Sequence, residues 1–232
     1  MDSKESIKKP EELLGPLNEV ERKFAPEKLF LKGNLQLFEE GPRVAIVGSR
    51  NPSEQGRKDT IELVKNLVHH KVIIVSGLAK GIDTVAHKTA ISEKGNTIAV
   101  LGTPLNNYYP AENKELQQMI SKDNLVISQF PKECPIQKMN FPLRNRTMAL
   151  LSHATVIVEA GETSGTIHQG WEALRLGRPL FIMNKLIEDT KLSWPKKMVN
   201  YGAIPISTAD IARMLEALPA NGSSLIDVAL RA

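Results

Sequence analysis

The chain has 232 residues and a formal net charge of +4, and 41% of its residues are hydrophobic while 24% are charged. This length and composition favour one sizeable globular core and exclude fibrous and disordered proteins. The single cysteine, Cys134, excludes an internal disulfide framework and a cysteine-rich zinc site. Because no apolar run approaches the length of a membrane span and the first residues are polar, we expect a cytoplasmic protein without a membrane partner.

The first 40 residues are charged and interrupted by prolines, which predicts an N-terminal arm and lead-in without a core of its own. Within this arm we expect a short helix between Glu11 and Lys23 and a short edge strand at Leu29–Asn34. Residues 41–218 then alternate apolar runs with helical patterns and form the predicted core domain. Residues 219–232 are expected to be a short C-terminal tail.

Short apolar runs in residues 41–218 predict buried strands. The runs are Val44–Val47, Val72–Val75, Ile98–Leu101, Leu125–Ile127, Val156–Val158, Leu180–Met183 and Ala203–Ile206. Helices are predicted at about residues 54–70, from 82, 114–121, 143–152, 165–176 and 208–218, with a long functional loop at 129–142 and a basic loop at 185–197. Strands that alternate with helices pair in parallel and are covered on both faces, so the sequence predicts a doubly wound, mostly parallel, Rossmann-like α/β fold.

Small residues follow several of the predicted strands, and the stretch Val72–His87 is the most informative. There Ser76, Gly77 and Gly81 turn a strand into a helix and would let the backbone approach a ligand. Ligands bind outside the carboxyl ends of the strands in such folds, so several small-residue turns on one edge predict an anion-binding crevice. The alternative is that these residues only make tight turns. The turns contain Gly48-Ser49-Arg50, Ser76-Gly77, Gly102-Thr103, Ser128-Gln129 and Ser164-Gly165.

The known nucleotide and hydrolase signatures are absent from the sequence. There is no G-x-x-x-x-G-K-[ST] loop, no G-x-G-x-x-G after the first core strand and no G-x-S-x-G nucleophile elbow. The five histidines do not have metal-ligand spacings. We therefore predict no cofactor, no metal and no catalytic residue.

The most pronounced basic cluster lies in the segment KMNFPLRNR. Pro142 is expected near a helix start, and cations in the first turn of a helix oppose its dipole, so a structural reason for the arginines is weak. Basic residues beside an aromatic ring can bind phosphates and stack a base, as single-stranded nucleic acid requires. The alternative is a solvated basic loop with the phenylalanine in the core. The cluster consists of Lys138, Phe141, Arg144, Asn145 and Arg146.

In several ordered segments the chain resembles the DprA (Smf) family of DNA-processing proteins. The segments are LFLKGN, VAIVGSR, SGLAKGIDTVAH, IAVLGTPLNNYYPAEN, FPLRNR, LLSHATVIVEA and Ser164-Gly165, and they lie between about residues 24 and 183. The resemblance implies a Rossmann-like domain that binds single-stranded DNA without catalysis, protects incoming DNA and assists RecA loading in natural transformation. It also implies a homodimer.

The same resemblance implies which residues hold the DNA. Arginines and lysines would neutralise phosphates, Phe141 would stack or wedge against a base, and backbone N–H groups and serine hydroxyls would hold phosphate oxygens. The implied site consists of Ser49, Arg50, Ser76, Gly77, Lys80, Lys138, Phe141, Arg144, Asn145, Arg146, Ser164 and Gly165.

Two other functions would use the same crevice. The segments Arg146-Thr147-Met148 and Gly165-Thr166 are similar to motifs of the LOG-type nucleotide phosphoribohydrolases, whose sheet is related. Hydrolysis of an N-glycosidic bond needs an acid, and no carboxylate follows Gly165-Thr166 until Glu172. A domain that senses a small nucleotide is the other alternative.

Overall fold

The computed structural model describes residues 5–219 of the chain. Within those residues the strands are β1 (Glu5–Lys8), β2 (Leu29–Gly33), β3 (Arg43–Gly48), β4 (Ile73–Ser76), β5 (Thr97–Leu101), β6 (Leu125–Ser128), β7 (Ala154–Glu159), β8 (Leu180–Met183) and β9 (Ile204–Ile206). The helices are α1 (Pro10–Leu14), α2 (Glu19–Phe24), α3 (Glu54–His69), α4 (Ile82–Ser92), α5 (Lys114–Asp123), α6 (Asn140–Leu151), α7 (Thr166–Arg175), α8 (Asn184–Glu188), α9 (Trp194–Asn200) and α10 (Ile211–Glu216). Short 3-10 helices lie at Leu35–Phe38 and Ala111–Asn113.

The strands form one sheet in the order β1-β2-β6-β5-β4-β3-β7-β8-β9. In this order, every pair of neighbouring strands between β6 and β9 is parallel. Strand β2 pairs antiparallel with β6, and β1 pairs antiparallel with β2 at the edge of the sheet. From β3 the chain winds outward through β4, β5 and β6 and then returns to place β7 on the other side of β3. This order confirms the predicted doubly wound, mostly parallel sheet, and its winding direction reverses between β3 and β7.

The central strands are buried because alternate apolar residues face two layers of helices. In β3, Val44 and Ile46 pack in the core that α3, α4 and α10 cover. Ala45 and Val47 point to the opposite face, where α6 and α7 supply residues such as Met148 and Ala173. Burial of both faces explains why these strands read as continuous apolar runs.

Residues 5–40 pack on the same core. Leu29 and Leu31 of β2 are fully buried, and β2 pairs with β6. Arg178 donates a hydrogen bond to the carboxylate of Glu21 in α2, and both side chains are buried. The predicted edge strand at Leu29–Asn34 therefore forms as β2, but it is not the edge of the sheet, because β1 pairs with its outer side. The local sequence pattern does not reveal that β2 pairs with β6, and this pairing places the segment on the core.

The predicted helices and loops match the structure except in three places. The single short helix expected between Glu11 and Lys23 is two helices, α1 and α2, separated by residues 15–18. Helix α6 begins at Asn140, so the end of the predicted loop at residues 129–142 is helical. Pro142 is tolerated there because N–H groups in the first turn have no intrahelical partner. The predicted basic loop at residues 185–197 contains α8 and the start of α9. The expected tail lies outside the described residues from position 220 onward, and no helix within residues 5–219 is long and apolar enough to cross a membrane.

Candidate nucleic-acid interface

A cavity of about 510 Å³ lies where the winding of the sheet reverses, at the carboxyl ends of β3 and β7. Doubly wound sheets bind ligands at this position, and the volume is within the range of roughly 300–1,000 Å³ that small-ligand sites have. The cavity is lined by the turn after β3, the beginning of α6 and the segment that leads into α7. The predicted site residues that line it are Ser49, Arg50, Phe141, Arg144, Asn145, Ser164 and Gly165.

The turn after β3 is held by backbone hydrogen bonds to its neighbours. The N–H of Ser49 donates to the carbonyl of Glu159 at 2.6 Å, and the carbonyl of Ser49 accepts from the N–H of Ile82 at 3.1 Å. A Cβ at Gly48 would lie 2.6 Å from Ile82 Cγ1, so only glycine fits this close approach. The turn therefore presents Arg50 from a fixed backbone at the cavity rim.

Phe141 stands opposite this turn at the beginning of α6. Its ring packs on Gly102, where an added Cβ would be 2.7 Å from Phe141 Cδ1. The guanidinium of Arg50 lies 5.8 Å from the centre of the Phe141 ring, and the ring of Tyr109 lies 5.2 Å away on another side. The rim thus combines a cation with aromatic side chains. This combination suits a ligand in which a planar ring lies next to a negatively charged group.

The beginning of α7 forms another wall of the cavity. Asn145 Nδ2 donates to the carbonyl of Gly165 at 3.2 Å, and the N–H of Thr166 donates to Ser164 Oγ at 3.2 Å. Thr166 Oγ1 also donates to the carbonyl of Gly48 at 3.1 Å, which ties α7 to the turn after β3. The helix dipole contributes a partial positive charge at this wall, so the wall favours an anion.

The turn after β4 does not face the cavity with open donors, which corrects the sequence interpretation of Ser76 and Gly77. The hydroxyl of Ser76 donates to the carbonyl of Ile46 at 2.7 Å. Asp83 Oδ2 accepts hydrogen bonds from the N–H groups of Gly77 at 3.1 Å and Ala79 at 3.3 Å. A carboxylate of the protein thus occupies the anion position that the small-residue turn suggests.

Arg144 is a buried part of the cavity wall and balances this carboxylate. Its Nη1 donates to the carbonyl of Val100 at 3.1 Å, and the guanidinium covers Gly77. Burial raises the pKa of Asp83, while Arg144 and the N–H groups of Ala79 and Gly77 lower it. Arg144 Nε is buried without a hydrogen-bond partner among the described residues, so the guanidinium acts mainly as a buried charge beside Asp83.

The remaining predicted site residues do not line the cavity. Lys80 forms an exposed ion pair of 2.6 Å with Glu112, and Lys138 lies exposed in the turn before α6. Arg146 points away from the cavity, where its Nε contacts Glu172 at 3.2 Å and its guanidinium lies 4.9 Å from the Phe24 ring centre. Arg144 and Arg146, which are two positions apart in the sequence, therefore lie on different sides of α6.

Several polar cavity residues are not among the predicted site residues, and His168 and Gln169 of α7 are two of them. His168 is exposed at the rim. Gln169 is 1% exposed, and its Nε2 donates to Thr155 Oγ1 at 3.3 Å while its Oε1 has no partner in residues 5–219. The sequence pattern predicts the helix α7, but it does not indicate that these two polar residues line the cavity.

The carboxylates near the cavity are engaged by other residues. Glu159 accepts hydrogen bonds from the N–H of Ser53 at 2.9 Å and from its hydroxyl at 2.5 Å, and it thereby fixes the start of α3. Glu162 accepts a hydrogen bond of 2.9 Å from the N–H of Ser193. Glu172 binds Arg146 and Arg175. In the part of the chain that is described, no group of three His, Cys, Asp or Glu side chains could hold a metal ion.

The fold and the cavity define the class of protein: a Rossmann-like α/β protein with a cationic, aromatic-rimmed cavity at the switch point of its sheet. The model of the family described as DNA recombination-mediator protein A matches residues 10–218. The chain belongs to this family, as the resemblance to DprA (Smf) proteins in the sequence predicts.

Curated relatives support the same family. The DNA processing protein DprA of Bacillus subtilis is 36% identical over 185 residues, which cover 80% of this chain and 62% of that protein. The DNA processing protein DprA of Streptococcus pneumoniae is 45% identical over 166 residues, which cover 71% of this chain and 58% of that protein. The chain therefore spans about three fifths of the length of these relatives.

Solved structures show the same fold. The X-ray structure of Streptococcus pneumoniae DprA has a TM-score of 0.75 and 38% identity, over 85% of this chain and 70% of that chain. The structure of Helicobacter pylori DNA processing protein A, whose description concerns a single-stranded DNA binding mode, has a TM-score of 0.76 and 26% identity over 93% and 98%. The molybdenum cofactor carrier protein of Chlamydomonas reinhardtii, at 18% identity and a TM-score of 0.53, shares the fold alone.

Proposed function

We propose that this protein binds single-stranded DNA in the cavity between β3 and β7 and acts as a non-catalytic DNA-processing protein. The support comes from family membership, from the relatives named DNA processing protein and from the single-stranded DNA that the Helicobacter pylori protein is described as binding. Binding of one strand with little base readout requires cationic groups for phosphates and aromatic faces for bases.

The observation that carries the proposal is the rim around Arg50 and Phe141. Arg50 is exposed, forms no ion pair within residues 5–219 and lies 5.8 Å from the Phe141 ring centre. The start of α7 adds the positive end of a helix dipole. A phosphate can therefore meet two sources of positive charge while an adjacent base stacks on an aromatic ring.

The other site residues predicted from the sequence have different roles in the proposal. Lys80 and Lys138 would contact phosphates outside the cavity, and Lys80 must first leave Glu112. Gly77 leaves room for the guanidinium of Arg144, the hydroxyl of Ser76 donates to the carbonyl of Ile46, and Arg146 joins α6 to α7 through Glu172. The nucleotide-hydrolase alternative has less support, because the carboxylates Glu159, Glu162 and Glu172 are each engaged by neighbouring residues.

Protection of incoming DNA, RecA loading and homodimer formation are further parts of the proposal. They rest on the family description, which names a recombination mediator, and on the family resemblance. A filament-nucleation assay on protein-coated single strands tests the second part, and faster RecA nucleation is the expected result. Light scattering tests the third, with a mass of twice 25.7 kDa expected.

The direct test of DNA binding is fluorescence anisotropy with a single-stranded oligonucleotide across a salt series. The log–log slope is about −0.7 for each neutralised phosphate, so a few contacts predict a slope of roughly −2 to −4. Arg50→Ala and Lys138→Ala should each weaken binding and flatten the slope. Lys58→Ala is the matched control, because Lys58 is an exposed cation on α3 that pairs with Glu54. Absence of binding at low salt, or equal effects of all three variants, would contradict the proposal.

A further inference from the structure

Two exposed tyrosines continue the aromatic rim of the cavity along the protein surface. Tyr108 and Tyr109 follow β5 and are 37% and 45% exposed. The ring of Tyr109 lies 5.2 Å from the ring of Phe141, which in turn lies next to Arg50. We call the surface formed by Tyr108 and Tyr109 the tyrosine ledge. It is continuous with the proposed DNA cavity because the ring of Tyr109 contacts Phe141, which lines that cavity.

The loop that carries the tyrosine ledge is anchored by polar residues of α5 and the preceding turn, and the Tyr108 hydroxyl also accepts a hydrogen bond of 3.4 Å from Gln118 Nε2. Asn113 is buried, and its Nδ2 donates to the carbonyl of Leu78 at 2.9 Å and to Thr84 Oγ1 at 2.9 Å. Gln117 Nε2 donates to the carbonyl of Leu105 at 3.1 Å. Because other residues hold the loop and the tyrosines are partly exposed, packing gives little reason for two large rings here.

A cation accompanies the ledge at a position that helix electrostatics disfavours. Lys114 is the first residue of α5, and its Nζ lies 5.3 Å from the centre of the Tyr108 ring. A positive side chain at a helix N-terminus opposes the dipole, so helix stability does not account for it. Glu112 lies nearby, but it pairs with Lys80. Lys114 is therefore placed to meet a phosphate beside an aromatic face.

We propose that the tyrosine ledge is a second nucleotide subsite, where bases next to the one at the cavity stack on Tyr109 and Tyr108 while Lys114 contacts the intervening phosphate. This inference rests on the proposed binding of single-stranded DNA. The ligand is a flexible single strand, because bases in a duplex are already stacked and cannot cover the rings. The ledge adds contacts to bases, whereas Arg50 and the beginning of α7 act mainly on phosphates.

The test separates base stacking from phosphate binding. Anisotropy measures the affinity for oligothymidylate and for an abasic oligomer of the same length, which has the same phosphates without bases. For Tyr109→Leu and Tyr108→Leu we expect a loss of roughly fivefold or more on oligothymidylate and no change on the abasic oligomer. Tyr109→Phe and Tyr108→Phe keep the rings and should bind as the unchanged protein does. Met119→Ala, at an exposed apolar residue of α5, is the matched surface control.

The possible outcomes distinguish the ledge from the proposed function. If the unchanged protein binds oligothymidylate and the leucine variants bind it equally well, the ledge is overturned and DNA binding stands. If the leucine variants lose the same factor on both oligomers, the tyrosines act on loop structure and the ledge is again overturned. If the unchanged protein binds neither oligomer, the proposed function itself fails.

Discussion

The turn after β3 presents a cation to the cavity, whereas the turn after β4 uses its polar groups inside the protein. Arg50 in the first turn is exposed over Phe141. In the second turn, Asp83 accepts hydrogen bonds from the N–H groups of Gly77 and Ala79, and Arg144 covers Gly77. A small-residue turn at the end of a parallel strand is therefore an anion site only if the protein does not supply the anion itself. We call the turn after β3 the open turn and the turn after β4 the closed turn.

The closed turn predicts that Arg144 is important for stability. Arg144→Met removes the cation that lowers the pKa of the buried Asp83 and leaves the carbonyl of Val100 without its hydrogen bond from Nη1, and loss of a hydrogen bond to a charged group costs about 1.5–3 kcal/mol. Urea unfolding should show a decrease of this size in the free energy of unfolding. Arg146→Met is the matched control, and its partner Glu172 is partly exposed, so we expect a decrease of about 1 kcal/mol or less. Equal effects would show that the two turns do not differ in this way.

The buried His87 of α4, the helix that follows the closed turn, should make the stability of the protein depend on pH. Burial lowers the pKa of His87 from 6.5 to about 3, and its Nδ1 lies 2.7 Å from Thr97 Oγ1. The unfolded chain binds a proton below pH 6.5 while the folded histidine stays neutral until about pH 3. Stability present above pH 6.5 is therefore lost as the pH falls through this window, by about 1.4 kcal/mol per pH unit for this group.

Urea midpoints measured through this window test the contribution of His87. His87→Leu should reduce the slope, while the buried His153, whose pKa is lowered to about 2 by burial and by Arg43 and Arg178, maintains part of it. Met119→Leu, at an exposed apolar residue of α5, is the control and should leave the slope unchanged. An unchanged slope in His87→Leu would contradict a neutral, buried histidine at this position.

Glycines in the two regions should respond differently to a methyl group. A Cβ at Gly77 would lie 1.5 Å from Arg144 Nη1, and the hydrogen bond to Val100 prevents that guanidinium from moving freely. Gly77→Ala should therefore lower the free energy of unfolding by about 1–3 kcal/mol. Gly165→Ala at the open cavity meets no atom within 4 Å and should change it by less than about 0.5 kcal/mol. Thermal or urea unfolding of both variants provides the comparison.

The smallest expected effect concerns Lys80, which the exposed pair with Glu112 holds beside the closed turn. Glu112→Gln releases Lys80 for a phosphate and should strengthen single-stranded DNA binding by less than about 1 kcal/mol, because exposed ion pairs are weak. The gain should disappear at high salt, where such interactions are screened. A weaker affinity in Glu112→Gln would show that the carboxylate itself supports the bound strand.

The sequence predicted the sheet well because apolar runs report burial directly. Val44–Val47 and Ile98–Leu101 are buried on both faces, and each became a central parallel strand. The edge was harder, because the antiparallel pairing of β2 with β6 joins residues far apart in the chain. Within α3, the apolar Ile61 is 39% exposed whereas the polar Thr60 is buried, so residue type alone does not define the buried face of this helix.

The site was predicted in part. Residue types and turn positions indicated Ser49, Arg50, Phe141 and Ser164, and all four line the cavity. The direction of a side chain depends on its neighbours, so the run at positions 144–146 could not reveal that Arg146 stacks on Phe24. The role of Asp83 had a signal, namely a carboxylate in the first turn of the helix after a glycine-rich turn, which can accept the N–H groups of that turn.

The most direct measurement is the paired effect of Arg50→Ala on DNA affinity and on stability. Arg50 is exposed at the open turn, so its removal should weaken single-stranded DNA binding by roughly tenfold or more while the free energy of unfolding stays within about 0.5 kcal/mol. Anisotropy and urea unfolding on the same protein sample give both values. Unchanged affinity in Arg50→Ala would contradict the assignment of the DNA site to the cavity between β3 and β7.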